Sequence, residues 1–573
     1  MKRDDMTSQE NEKIYGDNYA DFFLEYYGIP SVLDTYSSGT YRIINYFTSV
    51  VYIPVSEMNP VELAKKDLTI PALYGLTSER ELEASGVTRL RSVPNFDFRG
   101  KGVLLGFADS GIDYTNPIFQ NADKSSKIVA IWDQSIANEL IQEGIPYGTE
   151  YTREEINKAL QSSNPYQIVP SKDEIGHGTM VAGIAAGNEV PDQGFYGVAP
   201  DAEIIAVKLK QAKPYLRKYF QIPENEPCYQ ENDLLFALQY LLNYSYKVNK
   251  PIVICISCDT SRYARDGKDL LSSWISLESS YPGAAVLVPA GNEGNGRRHY
   301  YGVINEAPGY DTVELNVGSD SQGFTMELWG TTPNIFTIDI QSPSGEFIPK
   351  IVARLNETQE VSFIFERTII NVHYQIVESQ TGEQLISLRF TNPAKGIWKF
   401  NIYSRGLYPI NFHVWLPMRN FIPPDVFFIK SNPNTTLLSL SCANIPITVT
   451  AYNVEDNSLY TEAGLGFTRI NMTKPDIAAP GENIVCPDKN HGFTKVSGTS
   501  AATAHASGVA ALLFEWGMVK GHYPNMTTQD IKVFMTRGAR RDLNNTTYPN
   551  PQWGYGILDI YNVFESLRNS ESG

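Results

Sequence analysis

From about Gly102 to Gly294 the chain repeats one pattern: a short run that is apolar at nearly every position, then a longer polar or helical stretch. The short runs are "GVLLGFADSGID" (102–113), "AEIIAVKLK" (202–210), "PIVICISCD" (251–259) and "AAVLVPAGNEG" (284–294). "NDLLFALQYLLNYSYKVN" (232–249) between them has helical spacing. A strand with no polar face must be covered on both sides, so this pattern predicts an α/β fold with a parallel sheet between helices. Ligands of such sheets sit at the carboxyl ends of the strands, where Asp109, Asp259 and Asn292 fall. Between about 310 and 440 the period becomes two, in "FTMELWG", "FTIDIQSP", "VSFIFERTIINVHYQIV", "LISLRFTN", "GIWKFNIYS" and "INFHVWLP". Turns such as "SPSGE" and "SQTGE" separate these runs, and no long helix intervenes. That predicts an inserted antiparallel β-sandwich of jelly-roll type.

The α/β pattern then resumes with a strand at 445–453, a helix at 499–517 and another near 528–539. Ahead of everything lies a small α/β unit. There "YADFFLEYYG" (19–28) suits a helix, "YRIINYFTSVVYIPV" (41–55) paired strands and "NPVELAKK" (59–66) a short helix. The expected organisation is residues 1–78, an α/β part at 79–308, the sandwich at 309–442 and a second α/β part at 443–573.

The chain has 573 residues, is 42% apolar and carries a formal net charge of −17. The acidic balance argues against a nucleic-acid partner, which needs clustered Lys and Arg. No run of about twenty apolar residues is present, so no membrane span is expected. "MKRDDMTSQENEKIYG" lacks the apolar centre of a secretory signal, which points to retention inside a cell. The five cysteines are Cys228, Cys255, Cys258, Cys442 and Cys486. Cys255 and Cys258 form a C-x-x-C, but no second pair follows at zinc spacing, so all five read as reduced packing residues.

The chemistry concentrates in "KVSGTSAATAHASGVAALL" (495–513). Ser500 opens a helix of small residues, beside unpaired backbone N–H groups at the positive end of the helix dipole. A lone serine there is ordinarily a cap. It becomes a nucleophile only with a base, and "DEIGHGTMVAGIAAG" (173–187) supplies His177. An imidazole needs a carboxylate to hold its tautomer, and Asp109 in "DSGID" suits that task. The order Asp, His, Ser along the chain is that of subtilisin-type proteases.

"FADSGID", "GHGTMVAG", "AGNEG" and "SGTSAATAHASG" resemble the Asp, His, oxyanion-Asn and Ser blocks of the subtilase (S8) family. The resemblance implies a subtilisin-like fold, with Asp109, His177 and Ser500 as the triad. It also implies Asn292 as side-chain donor to the oxyanion. A substrate strand would pair along Ser257, Cys258 and Asp259 and near Gly291. Asp259 and Glu293 would then approach the first specificity pocket, which leads to an expected mild preference for Lys, Arg or polar residues before the cut bond. The chain departs from the family at Ala501, Thr503 and Ala504 in the Ser block, and at Cys258-Asp259, where the family strand ends Leu-Gly. The loop 187–197 takes the place of the family's calcium loop but differs in sequence, so no metal and no cofactor are assigned.

The inserted sandwich, the short N-terminal unit and the missing signal resemble the Csp-type germination proteases of spore-forming bacteria. That likeness implies a cytoplasmic or spore-associated protein whose partner is a cortex-hydrolase precursor. The family also implies that residues 1–78 are a propeptide, cut from the enzyme between about 70 and 85 and able to stay bound. The alternative is a catalytically silent subtilase fold used for signalling or scaffolding.

Overall fold

The computed structural model describes residues 19–26, 28–36, 40–43, 48–54, 56, 68–69, 82–94, 96–137, 145, 147–305, 309–318, 321–354, 357–406, 409–543 and 546–570. The chain divides into two units, Met1–Leu76 and Thr77–Gly573. In the first, Tyr19–Glu25 is a strand, not the helix expected for 19–28. It lies inside a four-stranded antiparallel sheet, pairing with Thr48–Pro54 on one side and Leu68–Thr69 on the other. Tyr19, Phe22 and Phe23 are residue types that favour strands, and pairing on both edges satisfies the backbone in a way no apolar count along one segment reveals. Tyr41–Ile43 and Thr48–Pro54 do pair as expected. The helix expected at 59–66 lies outside the described residues.

The second unit is built on an eight-stranded sheet in the order Ile477–Pro480, Ile447–Tyr452, Ala284–Pro289, Ile252–Ile256, Leu104–Asp109, Glu203–Lys208, Ile128–Asp133, Thr149–Thr152. Every neighbouring pair is parallel except the last, where Thr149–Thr152 runs antiparallel at the edge. The all-apolar strands have a physical cause: successive side chains feed two different cores. Leu105, Phe107, Val253 and Cys255 enter one core, with the helices His177–Ala186 and Thr499–Phe514. Leu104, Ala108, Ile252 and Ile254 enter the other, with Glu231–Val248 and Leu270–Glu278. Burying one such Leu or Ile side chain contributes about 1.5–3 kcal/mol, so the cover on both faces is what holds this sheet.

The inserted layer holds two antiparallel sheets, of six and five strands. Trp398, Phe324, Phe336 and Phe390 are fully buried in the core they share. Along Ile369–Gln375, Ile370, Val372 and Tyr374 point inward and their neighbours do not, the alternation legible in the sequence. Antiparallel pairing starts earlier than residue 309, because His299–Ile304 joins the six-stranded sheet beside Ile410–Trp415. A closing helix at Ile560–Ser570 was not foreseen. Its first turn ties to the segment after the first unit, where the Ile560 N–H donates to the Ser85 carbonyl at 2.8 Å.

Candidate active site

Asp109 is the last residue of its strand and is buried. His177 is the first residue of its helix, and its Nδ1 lies 2.9 Å from each carboxylate oxygen of Asp109. The Ser110 N–H donates to Asp109 Oδ1 at 2.6 Å and the Ser257 hydroxyl donates to Oδ2. Burial pushes the Asp109 carboxyl up, but the His177 charge and these hydrogen bonds outweigh it, and the group lies below the usual carboxylate range. Burial likewise pushes the His177 imidazole down, and Asp109, helped by Asp173, pulls it above its ordinary value.

Close approach of the two elements depends on Gly178. A Cβ there would meet the Gly111 carbonyl oxygen at 2.0 Å. Asp173 binds the same junction. Its carboxylate accepts from the Ser110 hydroxyl (2.8 Å), the Gly176 N–H (2.8 Å), and the Thr179 N–H (2.9 Å) and hydroxyl (2.7 Å). It thus caps the His177 helix and ties it to the Asp109 turn. Asp173 opens the quoted segment 173–187, four residues before His177, and no sequence signal pointed to its four donors.

Ser500 sits in the first turn of Thr499–Phe514. Its hydroxyl donates to the Ser257 carbonyl at 3.4 Å, and among the described residues no hydrogen bond joins it to His177. Ser257 therefore touches both the acid and the alcohol: its hydroxyl is on Asp109 and its carbonyl on Ser500. Asn292 lies alongside. Its Oδ1 accepts the Thr499 N–H and hydroxyl, both at 3.1 Å. The N–H can only donate, so the oxygen must face Thr499, and the amide NH₂ is left to point away. The Ser500 N–H, in the first helical turn, has no intrahelical acceptor. An amide side chain and a backbone N–H together form the donor pair that a developing oxyanion needs.

A profile of the subtilase family matches residues 100–313 and 426–556. The chain belongs to the subtilase family. Among solved structures it is similar to the Clostridium perfringens CspB protease, with 30% identity, 85% of this chain and 99% of that chain covered, and a TM-score of 0.75. Among curated relatives it is 23% identical to the PIII-type proteinase of Lactococcus lactis subsp. cremoris (strain SK11), over 93% of this chain and 28% of the relative. It is 22% identical to the C5a peptidase of Streptococcus pyogenes serotype M6 (strain ATCC BAA-946 / MGAS10394), over 80% of this chain and 39% of the relative. The chain thus spans well under half the length of these curated relatives.

Gly291, at φ +87, passes so close to Leu438 that a Cβ would stand 2.6 Å from its Cγ. Cys258 is half-buried while the other four cysteines are buried, and all five are free thiols. Asp259 is not free in a cleft. Its carboxylate accepts from the Thr260 N–H (2.7 Å), the Leu440 N–H (2.9 Å), and the Ser441 N–H (3.2 Å) and hydroxyl (3.0 Å). Burial nevertheless raises it to about 6. Among the described residues no three His, Cys, Asp or Glu side chains converge as a metal would require. At the loop that ends the His177 helix the buried Lys127 amine donates to the Ala186 carbonyl and, at 3.2 Å, to Asn188 Oδ1, and burial lowers its pKa to about 7. Among the described residues no helix is long and apolar enough to cross a membrane.

Proposed function

We propose that this chain is a serine endopeptidase acting through an acyl-enzyme, with Asp109, His177 and Ser500 as its triad. The observation that carries the reading is the Asp109–His177 pair at 2.9 Å beside an Asn292 amide whose NH₂ has no acceptor among the described residues. His177 Nε2 takes the proton as the Ser500 hydroxyl turns from Ser257 and attacks the scissile carbonyl. Asn292 and the Ser500 N–H hold the oxyanion. His177 then gives the proton to the leaving amine, and water repeats the sequence to free the acid product.

The propeptide reading belongs here too, with self-cleavage as its content. Leu82, Ser85, Val87 and Leu90 are buried in the second unit, and Ser85 Oγ bonds the buried His505 ring at 2.8 Å. A cut after Leu82 would sever a packed segment, so the cut belongs before it, in the earlier part of the 70–85 window. The natural substrate we propose, on the likeness to Csp-type proteases, is a cortex-hydrolase precursor opened by limited cleavage during germination, inside a bacterial cell or spore.

Fluorophosphonate labelling tests the central claim. Covalent capture at Ser500, absent in Ser500→Ala and in His177→Ala, is the expected result. A folded protein that neither labels nor cleaves any peptide would instead mark a silent scaffold. Intact mass of wild type against Ser500→Ala tests self-cleavage, and incubation with purified hydrolase precursors tests the substrate.

A further inference from the structure

The elements that carry acid, base and nucleophile meet a second time, away from the triad. After the sheet strand Ile477–Pro480 the chain forms a hairpin, Ile484–Pro487 paired with Phe493–Val496, and Ser500 follows four residues later. The hairpin lies along the His177 helix. A Cβ at Gly183 would collide with the Pro487 ring, and one at Gly176, just before His177, would stand 3.4 Å from Lys489 Cβ. The returning strand is packed by the Phe493 ring, whose centre is 5.1 Å from that of Phe195. Such apolar contacts are non-directional and do not by themselves fix where the hairpin tip lies.

A polar contact fixes the tip. His491 Nε2 is 2.8 Å from Oδ2 of the buried Asp113 and 3.2 Å from the Thr115 hydroxyl. Asp113 Oδ1 accepts the Thr115 N–H (3.0 Å) and hydroxyl (2.6 Å) and faces the Tyr166 hydroxyl at 3.4 Å. The carboxylate acts as acceptor throughout, so His491 Nε2 carries a proton and donates. In making this bond His491 holds φ at +62, a conformation uncommon for a residue with a side chain, although Gly492 beside it could adopt it freely. Asp113 stands four residues past Asp109, and its own N–H donates to the Thr179 hydroxyl of the His177 helix at 2.9 Å. One residue thus meets the turn of the acid, the helix of the base and the hairpin of the nucleophile. The His491 side chain is 44% exposed, so this joint lies at the surface, unlike the buried contacts between the two helices.

We propose that His491 is a positioning residue for the reaction. Through Asp113 it sets the hairpin that leads to Ser500 against the turn of Asp109 and the start of the His177 helix. It touches neither substrate nor the reacting atoms. The Ser500 hydroxyl rests on the Ser257 carbonyl and has to turn toward His177, so the spacing of their two elements governs the attack. This rests on the triad reading given under the proposed function.

The test uses the full chain with three substitutions, each checked by thermal melting to be folded. His491→Ala removes the ring, His491→Phe keeps a ring without the donor, and His491→Gln returns an N–H near the place of Nε2. In the Ala and Phe variants kcat should fall by about tenfold with KM unchanged, since a small misplacement far from the chemistry costs on that scale. The rate of fluorophosphonate labelling at Ser500 should fall by the same factor, because that step needs no leaving peptide. His491→Gln should recover both rates to within about threefold of wild type. Rates unchanged in both the Ala and Phe variants, a loss confined to KM, or a Gln variant as slow as Ala overturns the proposal. Amide hydrogen exchange read by mass spectrometry scores the joint without any activity. Exchange should quicken across Ile484–Val496 and the start of the His177 helix in the Ala and Phe variants and stay at wild type in the Gln variant, and exchange unmoved in all three overturns the proposal. A wild type that neither labels nor cleaves removes the protease reading, and exchange then decides the His491 joint on its own.

Discussion

The two halves of the candidate site differ in how their polar groups are spent. On the acid–base side nearly every group has its partner. Asp109 holds His177, Ser110 and Ser257, and Asp173 takes four donors from the turn and the helix. On the acceptor side groups are held in reserve: among the described residues the Asn292 NH₂ and the Ser500 N–H have no acceptor. A saturated network fixes geometry before substrate arrives, which is where catalysis gains most. Unspent donors gain their partner only from a ligand or a transition state, so they discriminate. The difference teaches that the acid–base groups are fixed in advance by their partners, whereas the Asn292 side is left open to a partner from outside the protein.

The contrast breaks most sharply at the base. His177→Ala should lower kcat by on the order of 10⁴-fold or more, since no other described group is placed to take the Ser500 proton. A residual rate within tenfold of wild type would show that the saturated half is structural. Asn292→Ala comes next, with a loss of about 100- to 1,000-fold in kcat and little change in KM, because its donor acts mainly on the transition state. A change in KM alone would mean that Asn292 binds ground-state substrate and that the reserve is not catalytic. Both are read from steady-state kinetics on a peptide that wild type cleaves.

Legibility in the sequence followed the same divide. Asp109, His177, Ser500 and Asn292 sit in long local motifs at strand and helix ends, so their types and order carry the chemistry. The parallel sheet was legible because two-sided burial leaves no polar positions in strands such as Ile252–Ile256. The strand at Tyr19–Glu25 was not, because its register is set by partners some 25 to 45 residues away. Asp173 escaped notice since its four bonds depend on a turn and a helix meeting in space. For Asp259 the sequence shows a carboxylate at a strand end but not the Leu440 and Ser441 N–H groups from which it accepts.

Asp173→Ala sharpens the contrast at lower amplitude. It strands four donors in a buried junction, so stability should fall by about 2–4 kcal/mol, read as the midpoint of denaturant unfolding. If the junction only supports the fold, kcat of the surviving native protein stays at wild type. If it sets the His177 geometry, kcat falls by about tenfold with KM unchanged, since a small misplacement costs on that scale.

The smallest effect is the most diagnostic of a paired imidazole. His177 must be neutral to accept the Ser500 proton, so kcat/KM falls as pH drops through its pKa. Burial alone would put that limb below the ordinary 6.5, but the Asp109 charge and hydrogen bond, with Asp173, place it above. The linked stability runs the opposite way: it is full below 6.5, where both states are protonated, and is lost as pH rises through the raised folded value. For Asp109 the sign is opposite, with stability present above 3.8 and lost as pH falls through its lowered folded value. Asp109→Asn removes the largest upward influence on the ring. Titration of His177 by proton NMR in the Ser500→Ala background should therefore give a lower pKa when Asp109→Asn is added than when Asp109 is kept, whatever becomes of turnover. An unmoved His177 pKa would mean that the 2.9 Å contact does not persist in solution, and the saturated half of the site would lose its first member.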